Sequence, residues 1–192
     1  MTQSPKAGAR IIRLVGFAGS LRRESFNRKL LKAASESMPA GATLEMLAID
    51  HVPLYNADVE TEEGVPTSVV SIKDSMAAAD GLVIATPEYN GGIPGVAKNL
   101  IDWVSRPPDD VPRVLRGKPV ALMGATPGGM GTAFSQAAWE HVLRTLRMRL
   151  WVGGGPFYLS AAPKSFDDNG QPNAELKQRV TDYMAGFVAS LG

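Results

Sequence analysis

Short continuous apolar runs alternate with amphipathic stretches along the chain. Residues 11–18 form an apolar, β-rich run that stops at Gly19; a helical pattern carrying Leu30, Leu31, Ala33 and Ala34 then fills 26–38. Residues 43–49 read as a short strand and 53–56 as a turn. Residues 57–66 read as an acidic loop. A helix over 66–79 opens on Pro66, whose missing N–H costs nothing in a first helical turn. Residues 81–86, Gly-Leu-Val-Ile-Ala-Thr, are almost uniformly apolar, the mark of a strand buried on both faces. A helix over 95–105, a loop over 106–112, a strand over 118–125 and a helix over 132–146 follow. A short strand at 149–152, an irregular stretch over 153–173 and an amphipathic helix over 174–190 complete the pattern.

Strands that alternate with helices predict an α/β domain with a parallel sheet and right-handed crossovers. Five strands match the flavodoxin-like order 2-1-3-4-5, with helices on both faces and ligand at the carboxyl ends of the strands. The expected organisation is a flexible segment over 1–10 and one domain over 11–192.

Three polar, glycine-bearing loops follow strands one, three and four, which are neighbours in that order. The first runs Gly19-Ser20-Leu21-Arg22-Arg23-Glu24-Ser25-Phe26-Asn27. Hydroxyls, an amide and an arginine at a helix N-terminus make a phosphate cradle, because the terminal N–H groups are unpaired and carry partial positive charge. It is neither a G-x-G-x-x-G turn nor a P-loop, and it suits a phosphate monoester better than a pyrophosphate. The alternative is an ordinary turn in which Ser25 or Asn27 only caps the helix. The second loop offers Tyr89 as a stacking face, with Asn90, Gly91 and Gly92 where backbone can approach a flat ring. The third offers Thr126, Gly128, Gly129 and Gly131. A flat heteroaromatic with one phosphate on a flexible tail describes FMN.

Charge and composition narrow the classes. The 192 residues carry 20 Lys plus Arg against 19 Asp plus Glu, which argues against nucleic acid and anionic membrane as partners. There is no cysteine and only two histidines, so thiolate catalysis and a His-rich metal site are not expected; the lack of cysteine fits a cytoplasmic protein. Residues 1–10 lack the apolar core of a signal peptide, and no apolar run approaches the roughly 20 residues that span a bilayer.

Gly19-Ser-Leu-Arg-Arg-Glu-Ser-Phe-Asn27 resembles the G-S-x-R-x-x-S-x-N phosphate loop of the NADPH-dependent FMN reductase family, and residues 86–103 resemble its second signature. The likeness runs from about residue 11 to the last helix and is nearest to the chromate or quinone reductase branch. It implies a flavoenzyme that takes hydride from NAD(P)H and passes electrons to quinones, flavins or chromate-like oxidants. By position, Ser20, Arg22, Ser25 and Asn27 would hold the phosphate, helped by the amides of Leu21 and Phe26. Pro87, Glu88, Tyr89, Asn90 and Gly91 would line the isoalloxazine, with Thr126 and Gly128 as lesser contacts. The family implies a homodimer or homotetramer. No catalytic side chain is expected, because the hydride chemistry sits on the flavin.

Glu88 is read as a structural hydrogen-bonder and Asp102 as fixing a local contact. Arg106 and Arg113 are candidates for a 2′-phosphate. Val96, Leu100, Ile101, Trp103 and Val104 give the 95–105 helix more apolar surface than one stripe requires. The surplus predicts a contact with a second subunit. Competing readings are a flavodoxin-like electron carrier without NAD(P)H activity, disfavoured by the neutral charge balance, and a flavin-free scaffold.

Overall fold

The computed structural model describes residues 10–192. The expected flexible segment therefore lies, Arg10 apart, outside the described residues. Strands β1 (Ile12–Ala18), β2 (Ala42–Met46), β3 (Gly81–Ala85), β4 (Pro119–Ala125), β5 (Arg149–Leu150) and β6 (Phe157–Leu159) form one parallel sheet. Its order is β2-β1-β3-β4-β5, as expected, but the last position is filled in two pieces. β5 pairs with Pro119 and Val120, and β6 pairs with Met123, Gly124 and Ala125 farther along the same strand. Between them the chain loops out through Gly153-Gly154-Gly155-Pro156. The stretch expected to be irregular thus contains a strand. Its buried-exposed-buried alternation over Phe157–Leu159 is too short to read as a period behind a glycine-proline breaker.

The helices are α1 (Phe26–Glu36), α2 (Ala57–Glu63), α3 (Thr67–Ala78), α4 (Gly95–Val104), α5 (Val111–Val114), α6 (Ala133–Thr145) and α7 (Ala174–Ala189). Two of them replace expected loops. α2 lies in the acidic stretch and buries none of its residues, so no apolar stripe announces it. It is held instead by its N-cap: Asn56 Oδ1 accepts from Asp58 N at 2.9 Å, and Asp58 and Glu60 complement the helix dipole. α5 is a single turn within the segment that leads into β4.

The core has two layers. α3, α4 and α6 cover one face of the sheet around Phe17, Trp103 and Trp139. α1 and α7 cover the other around Leu30, Leu31, Met184 and Phe187. β3 is buried along its whole length, as its continuous apolar run requires.

The apolar surplus of α4 is covered within the chain, against expectation. Trp103 is fully buried, donates from Nε1 to Pro53 O at 2.9 Å, and meets the Tyr55 ring edge-on at 5.0 Å. Asn99 secures the same loop, accepting from Tyr55 N and donating to Pro53 O, each at 2.8 Å. The loop before α2 does what a second subunit was expected to do. Asp102 makes a local i,i+4 pair with Lys98 at 2.5 Å.

Candidate active site

The register sets Ala18 beside Ala85 and Ala85 beside Met123, so the carboxyl ends of β1, β3 and β4 are contiguous. Loop one (19–25), loop two (86–94) and loop three (126–132) leave from these three ends. Loops one and two touch. Gly19 N donates to Ala85 O at 2.9 Å, and a Cβ on Gly19 would stand 3.1 Å from both Pro87 Cδ and Ala97 Cβ. A larger residue would push the loops apart.

Loop one builds a donor cluster. Ser20 is buried, and its Oγ accepts from Tyr89 OH at 3.2 Å and from Arg22 N at 3.4 Å. Ser25 is the buried N-cap of α1; its Oγ accepts from Arg28 N at 3.3 Å, which leaves its own hydroxyl hydrogen to donate. Among the described residues the N–H groups of Phe26 and Asn27 meet no protein acceptor. Arg22 and Arg23 are exposed and form no ion pair there, whereas Glu24 pairs with Lys29 at 2.9 Å.

Asn27 has a role its position in the loop does not reveal. Its Nδ2 donates to Ala125 O and its Oδ1 accepts from Ala125 N, both at 2.9 Å. A buried side-chain amide thereby continues the sheet's hydrogen bonding from the end of β4 to the start of α1.

Loop two is a tight hairpin. Tyr89 and Gly92 exchange N–H···O bonds at 3.3 and 3.1 Å across Asn90-Gly91. Both turn residues have positive φ, 52° and 71°, which is why Asn-Gly stands there. Pro87 is buried at the base of the loop. Glu88 reaches loop three: its Oε2 accepts from Phe134 N at 2.8 Å and Ser135 N at 3.1 Å. The expectation of a structural hydrogen-bonder in loop two thus has a definite partner, the N-terminus of α6. A buried set of Thr86, Ser135 and Trp139 lies beneath, with Thr86 Oγ1 at 2.9 Å from Ser135 Oγ and accepting from Trp139 Nε1 at 3.0 Å.

Loop three closes on itself. Thr126 Oγ1 accepts from Gly128 N at 3.3 Å, and Gly128 O accepts from Ala161 N at 3.0 Å. Thr132 is left-handed, with φ 72°, and its side chain does not cap α6. A Cβ on Gly124 would stand 1.8 Å from Thr132 Oγ1 and 2.5 Å from Thr86 O, so only glycine fits beneath the turn. Space is clear for 4 Å around the Cβ positions of Gly91 and Gly129. Exposed apolar side chains, Leu21, Tyr89, Met130 and Phe134, rim the loops.

The arginines named for a 2′-phosphate are engaged elsewhere. Arg106 pairs with Glu60 at 2.9 Å. Arg113 pairs with Asp110 at 2.6 Å and Asp74 at 2.9 Å. Burial pushes the Glu60 carboxyl up, but its bonds to Arg106 and Tyr55 outweigh this and hold it below the usual range. Bonds from Arg113 and Lys73 hold Asp110 well below the usual range. Arg106 follows α4, which runs back along the sheet from loop two, and Arg113 lies on α5 just before β4. Both therefore belong to the amino-end side, away from the three loops. Among the described residues no cluster of acidic or histidine side chains could hold a metal ion.

These features fit FMN. A phosphate monoester needs several donors and a cation, and loop one holds a hydroxyl hydrogen, two N–H groups and Arg22 unspent. A flat ring needs backbone without side chains, which Gly91 and Gly129 supply. The model of the NADPH-dependent FMN reductase family matches residues 12–163. The chain belongs to that family. It is an oxidoreductase with FMN as cofactor and NAD(P)H as reductant.

Among relatives, it is 39% identical over 160 residues to NAD(P)H-dependent FMN reductase PA1204 of Pseudomonas aeruginosa, covering 83% of this chain and 84% of that one. It is 34% identical over 182 residues to a quinone reductase of Escherichia coli, covering 94% of each. It is 36% identical to a 2-hydroxy-1,4-benzoquinone reductase of Burkholderia, covering 93% and 95%. Among solved structures, the flavoenzyme NAD(P)H:(acceptor) oxidoreductase FerB of Paracoccus denitrificans superposes with a TM-score of 0.83 at 28% identity, covering 94% and 97%. Among the described residues no helix is long and apolar enough to cross a membrane.

Proposed function

We propose that this reductase passes electrons from NAD(P)H to quinones, that free flavins and chromate-like oxidants are secondary acceptors, and that it works in the cytoplasm. The observation that carries the reading is the pairing of an unspent donor cluster at α1 with bare glycine backbone in loops two and three, where the Cβ positions of Gly91 and Gly129 are clear for 4 Å. Ser20, Arg22, Ser25 and the amides of Leu21 and Phe26 hold the phosphate. Pro87, Tyr89, Asn90 and Gly91 form one wall for the ring, with Glu88 behind them on the first turn of α6, and Thr126 and Gly128 contribute to the other. FMN held there would supply the redox chemistry, taking up hydride from NAD(P)H and passing electrons to the acceptor. The chain binds and orients it and screens one side from water. The apolar rim of Leu21, Tyr89, Met130 and Phe134 suits a flat, weakly polar acceptor such as a quinone.

Reductant and acceptor use one open side in turn, which gives ping-pong kinetics. Assembly is as a homodimer or homotetramer that covers part of this rim. Trp103 takes no part in it, since it is spent inside the monomer.

The test is anaerobic addition of NAD(P)H to the FMN-loaded protein, then benzoquinone. Bleaching of the flavin band, recovery with quinone and parallel initial-rate lines are expected. Bleaching without turnover identifies an electron carrier instead, and failure to bind FMN overturns the reading. A monomer by light scattering at micromolar concentration with full activity overturns the assembly.

A further inference from the structure

We propose that Glu88 is a positioning residue that sets the spacing of the two walls of the flavin slot by length and hydrogen bonding, not by touching the flavin. The proposal rests on the flavin reading above. Three observations carry it. Thr132, the residue placed to cap α6, is left-handed and makes no cap bond, so α6 cannot satisfy its own first turn. Glu88, 46 and 47 residues away in loop two, supplies the missing acceptor to both Phe134 N and Ser135 N through one oxygen. With Ala133 N on Met130 O and Gln136 N on Thr132 O, the whole first turn of α6 is satisfied within the protein.

The link has a mechanical consequence. Deeper ties between the walls lie at the sheet, where Thr86 N donates to Met123 O at 2.8 Å and Thr86 Oγ1 meets Ser135 Oγ at 2.9 Å. Glu88 ties them farther out, immediately before the Tyr89–Gly92 hairpin. Loop two and the start of α6 are thereby one unit on the ring side, which meets loop one at Gly19 and through Tyr89 OH on Ser20 Oγ.

The test titrates apoprotein with FMN and with riboflavin, which keeps the ring and lacks the phosphate. Glu88→Ala is expected to weaken both about tenfold, whereas Arg22→Ala weakens FMN alone. Glu88→Asp, which keeps the charge but is one methylene short, is expected to weaken both about fivefold. Glu88→Gln, which keeps an oxygen acceptor at full reach, restores riboflavin affinity to within threefold of wild type. If Glu88→Ala does not fold, the opposed Asp and Gln variants decide. Unchanged riboflavin affinity in the Asp variant overturns the proposal. So does a Gln variant as weak as Asp, which would mean that charge or direct contact matters. A wild-type protein that binds neither ligand overturns the flavin reading itself.

Discussion

The N-termini of α1 and α6 both rise at the carboxyl edge of the sheet, and they are finished in opposite ways. α1 has a local cap, Ser25, and leaves the N–H groups of Phe26 and Asn27 without a protein acceptor. α6 has no local cap and has every donor of its first turn taken, two of them by a carboxylate from another loop. A helix N-terminus is a ready anion site only while its donors are unspent. The open end therefore keeps the donors that a phosphate requires, and the filled end has none left to offer. Their common connection is the Asn27 amide, which ties α1 to the last residue of β4.

The largest expected effect breaks the filled end. Gly124→Ala drives a methyl group into Thr132 Oγ1 and Thr86 O, and backbone at Thr86 cannot yield without moving β3. The loss is expected to be about 3 kcal/mol or more, read as a lowered urea midpoint. A midpoint within experimental error of wild type would show that the turn under α6 is loose.

Next is the tie between the two ends. Asn27→Ala leaves the buried N–H and C=O of Ala125 unpartnered, a cost of about 2–3 kcal/mol. FMN affinity should fall with stability, because α1 loses its anchor. Lost affinity at unchanged stability would instead make Asn27 a direct phosphate ligand. The comparison sharpens at the open end alone: Arg22→Ala should weaken FMN about tenfold, corresponding to about 1.4 kcal/mol, with no change in melting temperature. Arg23→Ala should leave both unchanged. Equal FMN dissociation constants for the two variants would dissolve the distinction.

The smallest effect on the site is expected from the far edge. Asp110 is held well below the ordinary carboxylate range by Arg113 and by the buried Lys73. A depressed carboxyl stabilises the fold above its unfolded pKa of about 3.9 and loses that contribution as pH falls further. Asp110→Asn should therefore melt below wild type at pH 7, by about 2–4 °C for each kcal/mol lost. The gap should narrow as pH drops below about 4. FMN affinity at pH 7 should not change, since the ion pairs lie toward the amino end of the sheet, away from the three loops. A gap that widens in acid would reverse the assignment.

Much of the architecture is carried by local patterns. The apolar runs placed β1, β3 and β4, and the alternation with helices predicted the 2-1-3-4-5 order found in the sheet. Ser25 as a helix cap and the spacing of the three loops were legible because capping and βα connection are matters of adjacent residues. The sequence was silent where stabilisation comes from afar. β6 depends on a free length of β4 beyond β5. α2 shows no apolar stripe because it buries nothing.

The side chains with distant partners divide most sharply. Trp103 in sequence is an apolar surplus, and only the packing of residues 53–55 against it decides that it is core. Arg106 and Arg113 in sequence are free cations, and the course of α4 and α5 across the sheet pairs them with acids at the wrong edge for a ligand. Asn27 and Glu88 sit in motifs that predict contact with a cofactor, yet their geometry is set by acceptors and donors 98 and 46 residues away. By itself the sequence determined the donors and glycines that a phosphate and a flat ring require, because those are properties of residue type and short spacing. Which donors remain unspent was decided only by the tertiary structure, because a hydrogen bond satisfied by a distant residue leaves no mark on the sequence around it.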